Sequence, residues 1–109
     1  MGAEKKPVTN LVLAGFPARD LATETGRRLV ANGHAKAVNI LPAIASIYVW
    51  EGEMVERSES LLLVKTPPYA ARTIIETIKS NHPYDVPSIL CVACCDGDTD
   101  YLNWLNYRN

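Results

Sequence analysis

The chain has 109 residues, 48% of them apolar and 21% charged, with a formal net charge of −1. Length and composition describe one soluble globular domain, and without a basic patch nucleic acid has no electrostatic foothold. The longest apolar runs are about four to six residues, far short of the roughly 20 that a membrane-spanning helix needs. A domain this small buries only about two thirds of the surface its unfolded chain exposes, so association with further copies helps its stability.

Residues 1–8 include Lys5 and Lys6 but no apolar run behind them, so they read as a flexible tail and not as a secretory signal. Residues 9–109 form the domain. Thr9 to Gly15 is a short apolar stretch and a candidate buried strand, ended by Phe16 and Pro17. Ala18 to Asn32 reads as a helix, with Leu21, Ala22, Thr25, Leu29 and Val30 near helical spacing. Gly26 weakens that helix by roughly 1 kcal/mol against Ala, and Gly33 stands where a left-handed helix stop belongs.

His34 to Trp50 is rich in strand formers, and Pro42 inside it demands a bend or bulge because proline cannot donate to a ladder. Glu51-Gly52 reads as a tight hairpin turn leading into a second long strand, Glu53 to Thr66. Leu61 to Val64 is apolar on both faces, which predicts burial on both sides. Thr66 is a candidate N-cap for a second helix opened by Pro67 and Pro68, with Ala71, Ile74, Ile75 and Ile78 as its apolar stripe. Asn81 to Pro87 is a loop held extended by its prolines, its polar side chains protruding. Ser88 to Cys95 is the last strand, and Asp98 caps a short C-terminal helix.

The order β-α-β-β-α-β-α predicts an α+β, ferredoxin-like domain with a long central hairpin and a short C-terminal helix. The middle strands are about 13 to 16 residues each, against a usual five or six. A hairpin that long overhangs its own sheet and needs another chain to pack on, most simply a second copy.

Four segments resemble the divalent-cation-tolerance (CutA) family, in its order and spacing. They are AKAVNILPAIASIYVWEGE (35–53), LLVKT (62–66), NHPYDVP (81–87) and DGDTDYLNWLN (96–106). The resemblance implies a homotrimer of ferredoxin-like subunits with hairpins packed across subunits and a part in tolerance of copper and other divalent metals, while the expectation of no enzymatic activity rests on the lack of any catalytic motif. This chain departs from the family's pattern at several ligand positions. Ala37 stands where many members have a cysteine, and the first strand ends Leu13-Ala14-Gly15-Phe16 without one. The paired histidines before Pro-Tyr are here Asn81-His82, so His82 alone remains of the copper ligand set that the resemblance implies.

His82 is therefore the candidate ligand for copper(II) or another weakly held divalent cation, weighed against a hydrogen-bonding role in its loop. One histidine falls short of the three or four ligands of a tight site. Cys91, Cys94 and Cys95 are an odd, clustered set that makes a poor disulfide framework and fits a reducing, cytoplasmic location. On a strand, Cys91 and Cys95 lie about 13 Å apart, too far to share an ion, so all three read as small buried hydrophobes. Asp96, Asp98 and Asp100 start like a calcium loop, but Tyr101 stands where its glycine belongs, so they read as carboxylates at a helix N-terminus.

Glu59 and Lys65 share one strand face with Leu61 and Leu63, and a charge near a buried face needs a partner or a ligand, so the two read either as ion-pair partners at an interface or as part of a ligand site. Tyr48 and Trp50 share a face across the hairpin. With His82 and Tyr84 near in the family fold, these residues outline a cleft between subunits. No nucleophile motif, P-loop or dinucleotide fingerprint occurs, and no organic cofactor is implied. Two functions follow. One is a trimer that binds divalent cations through His82. The other is a ligand-sensing or scaffold trimer whose clefts, with Glu59, Lys65, Tyr84, Trp50 and Tyr48, take a small anion or a partner protein.

Overall fold

β1 (Thr9–Phe16) runs through the middle of a four-stranded sheet, with Val12, Ala14 and Phe16 fully buried on one face and Leu11 and Leu13 half-buried on the other. The structure, a computed structural model, describes residues 8–107. Of the segment read as a tail, residues 1–7 lie outside that range. Val8 is held in place: its N–H donates to the Cys94 carbonyl at 2.9 Å, and its own carbonyl accepts from Asn106 Nδ2 at 2.7 Å.

The other elements are α1 (Arg19–Ala31), β2 (Ala37–Trp50), β3 (Glu53–Thr66), α2 (Ala71–Ser80), β4 (Ile89–Cys94) and α3 (Thr99–Asn106). The sheet order is β2-β3-β1-β4, with every neighbouring pair antiparallel. β1 and β2 thus run parallel with β3 between them, and α1 crosses over one face to join them. α1 and α2 cover that same face. Ala22 and Leu29 from α1 meet Ile74 and Ile78 from α2 over Val12, Phe16, Leu62 and Val64 in one core.

α1 buries most of the stripe its apolar residues suggest, but not its two outer members. Ala22, Thr25, Gly26 and Leu29 face the core, while Leu21 and Val30 are exposed. Gly26 sets this rotation. A Cβ placed there would stand 3.0 Å from Val38 Cγ2 and 3.2 Å from Leu62 Cδ1, so helix and sheet approach closely only where a side chain is missing. Gly33, at φ +76°, then turns the chain out of the helix.

The hairpin turns through Glu51 (φ 50°) and Gly52 (φ 82°), the pair of positive angles whose twist suits tightly joined strands. At Pro42 the register slips: Leu41 faces Leu61 and Ile44 faces Glu59, so Pro42 and Ala43 together face Ser60. Ser60 Oγ donates to the Pro42 carbonyl at 2.7 Å and seals the bulge. Beyond the bulge the hairpin pairs with no other described strand, and Ile47, Val49 and Met54 on one of its faces are 64%, 71% and 72% exposed.

Three expectations need correction. Thr66 is not an N-cap. Pro67 and Pro68 force an extended step and a 3₁₀ turn (Pro68–Ala70) before α2, whose N-cap is Ala70. Thr66 is instead buried at the end of β3, where its carbonyl accepts from Thr9 Oγ1 at 2.8 Å. The cysteines are not core residues. β4 is an edge strand, and Cys91 and Cys95 are exposed while half-buried Cys94 donates its thiol to the Asp96 carbonyl at 3.2 Å. Leu61 and Leu63 are only half-buried beside fully buried Leu62 and Val64.

α3 lies on the opposite sheet face from α1 and α2. Asp98 caps it by accepting from the Tyr101 N–H at 3.0 Å, and Leu105 is its buried anchor. It covers only one end of that face, leaving Leu41, Leu90 and Val92 exposed.

Gly26→Ala gains roughly 1 kcal/mol of helix propensity and meets the wall of Val38. We expect no net stabilisation from it, and a loss of about 1–3 kcal/mol from Gly26→Val, read from urea unfolding midpoints. A Gly26→Val protein as stable as the parent would contradict the close packing.

Candidate functional site

The bulge at Pro42 decides what the base of the hairpin presents. After it, Ser46, Tyr48 and Trp50 stand opposite Arg57, Val55 and Glu53, on the sheet face not covered by α1 and α2. The loop from Asn81 to Ser88 comes down beside this surface from the end of α2. Between them lies a cleft of about 880 Å³, with Tyr48, Trp50, Arg57, Glu59, Tyr84 and Asp85 among its lining.

His82 holds the loop in place. Its ring stacks on Phe16 with centroids 4.5 Å apart. Nε2 lies 2.6 Å from the Gly15 carbonyl, which can only accept, so Nε2 carries the proton. Nδ1 then accepts the Tyr84 N–H at 3.1 Å. Both ring nitrogens are engaged with backbone, and the side chain tucks inward where the loop reading had it protrude.

Tyr84, fixed by that bond, reaches into the cleft. Its hydroxyl donates to Glu59 Oε2 at 3.2 Å and accepts from Arg57 Nη1 at 2.6 Å, and the guanidinium sits 5.7 Å from the ring centre. Burial raises the Tyr84 pKa, with Glu59 adding to the rise and Arg57 opposing it. The phenol therefore stays protonated as the donor to Glu59. Arg57 is exposed and charged in any case, and its hydrogen bond to Tyr84 is the largest cause raising its already high pKa further.

Of the residues the sequence singles out, Tyr48, Trp50, Glu59 and Tyr84 come together here. Lys65 does not join them. Six residues along β3 from Glu59 it is about 20 Å away, and its Nζ donates to the Tyr101 hydroxyl of α3 at 3.1 Å while lying 5.3 Å from that ring centre. His82 stands behind the cleft wall. Arg57 is the residue the sequence reading missed. It lies on the same face two residues before Glu59, so strand alternation was signal enough to find it.

A divalent cation fits these residues poorly. No group of three or more His, Cys, Asp or Glu able to hold a metal occurs among the described residues. His82 would have to release either the Gly15 carbonyl or the Tyr84 N–H to offer a lone pair.

Fold and cleft together define a small α+β protein with an antiparallel sheet and an aromatic-lined cleft. The family model described as CutA1 divalent ion tolerance protein matches residues 10–108. The divalent-cation tolerance protein CutA of Thermus thermophilus is 42% identical over 95 residues, covering 87% of this chain and 92% of that one. Its counterpart from Citrobacter koseri is 34% identical over 100 residues, covering 92% and 87%. Among solved structures, the divalent cation tolerance protein (Cut A1) from Thermus thermophilus matches with a TM-score of 0.85 at 41% identity, over 90% of this chain and 95% of that one. CutA1 from Oryza sativa matches with a TM-score of 0.85 at 32% identity, over 93% and 92%. The chain belongs to the CutA1 divalent ion tolerance family. These relatives are named for tolerance of divalent cations, not for an enzymatic reaction.

Because the folded-state pKa of Tyr84 is raised, its contribution to stability is present below the unfolded value of about 10 and is lost as pH climbs through the folded value. Alkaline absorbance titration of the parent minus Tyr84→Phe should isolate a phenol ionising above the ordinary tyrosine range. A difference curve centred at or below about 10 would contradict the half-buried, Glu59-bonded hydroxyl.

Proposed function

We propose that this protein is a homotrimer of ferredoxin-like subunits that binds a small anion in the cleft of Tyr48, Trp50, Arg57, Glu59 and Tyr84, and that this binding is its part in the response to divalent cations. The observation that carries the reading is the contrast between two side chains. His82, the copper candidate, has both nitrogens engaged, whereas Arg57 faces an open cleft with most of its donors free. Arg57 enters no ion pair with a carboxylate among the described residues, where Arg28 with Glu24 is the one such pair.

Assembly is supported by the exposed apolar side chains on the overhanging hairpin and on the half-covered sheet face. Surfaces of that kind mark association sites. The threefold order follows the family resemblance, and the strand order β2-β3-β1-β4 suits the ferredoxin-like reading. A partner protein on the hairpin is the alternative use of the same surface. Direct copper binding through His82 is the competing reading. It requires breaking one backbone hydrogen bond, at a cost of about 1–3 kcal/mol for the group left unpaired, and recruiting further ligands from outside the loop.

Sedimentation and copper(II) calorimetry on metal-stripped protein separate these readings. The expected result is a trimer at micromolar concentration whose copper heats are the same in parent and His82→Ala, and whose melting point rises with small anions. One copper ion bound per subunit at micromolar affinity, and lost in His82→Ala, would restore the metal reading. A stable folded monomer would overturn the assembly.

A further inference from the structure

We infer that the ligand class of the cleft is an aromatic monocarboxylate, an inference that rests on the small-anion reading and narrows it. Charge sets the first limit. Arg57 is the one cationic side chain lining the cleft among the described residues, and Glu59 and Asp85 line it too. A dianion such as phosphate would meet one cation and two carboxylates, whereas a monoanion can pair with the guanidinium and keep its distance from the acids.

Hydrogen-bond geometry sets the second. The guanidinium has five N–H donors in a planar fork, and Tyr84 takes a bond from Nη1. The remaining edge matches a carboxylate, which accepts two parallel bonds. The Tyr84 proton is already directed to Glu59, so the incoming anion meets Arg57 as its donor. Shape sets the third. Tyr48, Trp50 and Tyr84 give the walls a planar, apolar character, and about 880 Å³ lies within the range of small-molecule pockets. A ring stacked on Trp50 with its carboxylate on Arg57 uses both features at once, while acetate would use one.

The test is calorimetric titration of the intact oligomer with benzoate, cyclohexanecarboxylate, benzamide and phosphate. Benzoate should bind saturably at one per chain. Benzamide, lacking the charge, and cyclohexanecarboxylate, lacking the flat ring, should each bind about tenfold more weakly or worse. Arg57→Lys keeps the charge on an exposed position and loses the fork, so it should weaken benzoate roughly tenfold without altering the melting point of the free protein. Glu59→Gln should improve phosphate relative to benzoate by removing one repelling carboxylate. Phosphate binding as well as benzoate in the parent would overturn the aromatic monocarboxylate and leave the small-anion cleft standing. Failure of every anion to bind would overturn both. Benzoate binding unchanged in Arg57→Lys would overturn the assignment of the carboxylate to Arg57.

Discussion

The arrangement of this site depends on a histidine that has nothing left to offer a ligand. His82 is stacked on Phe16 and bonded through Nε2 to the Gly15 carbonyl and through Nδ1 to the Tyr84 N–H. One ring thereby ties the loop after α2 to the end of β1 and fixes where Tyr84 points. Tyr84 in turn orders Arg57 and Glu59, which sit two residues apart on β3 and would otherwise be independent surface charges. The chain of contacts runs from the buried Phe16 outward, so the polar rim of the cleft inherits its position from the hydrophobic core.

The second determinant is the bulge. Pro42 cannot donate to the ladder, and the extra residue it brings lets β2 continue beside β3 as far as Trp50. The extension builds the cleft on one face and exposes Ile47, Val49 and Met54 on the other. A free domain of this size gains little from such an extension. The same extension supplies Tyr48 and Trp50 to the cleft, so the assembly and the ligand binding proposed above both draw on one structural device.

Features written in local backbone constraints were legible from the residues alone. Pro42 restricts φ, Gly33 and Gly52 permit positive φ, and Asp98 supplies a cap, each within a few positions, and the structure uses each as read. Features that depend on what lands where were not. Gly26 has no side chain to register in an apolar stripe, yet its absence of one sets the rotation of α1. Strand spacing separated Cys91 from Cys95 but did not show that β4 would be an uncovered edge. Glu59 and Lys65 do share a face, but the loop carrying Tyr84 comes down at one and α3 at the other. Alternation puts Arg57 on the face of Glu59, but in the charged run Glu56-Arg57-Ser58-Glu59 that face looks solvated, and its pairing with Tyr84 is visible only in the fold.

The protonation pattern of His82 is the most direct thing to measure. Long-range ¹H–¹⁵N spectra of the metal-stripped protein, before and after one equivalent of zinc(II) per chain, report each ring nitrogen separately. The expected result is a protonated Nε2 and an acceptor Nδ1 that zinc leaves unmoved. A ring that changes tautomer or shifts to a metal-bound nitrogen at stoichiometric zinc would contradict the closed hydrogen bonding of His82, and would return it to the role of ligand.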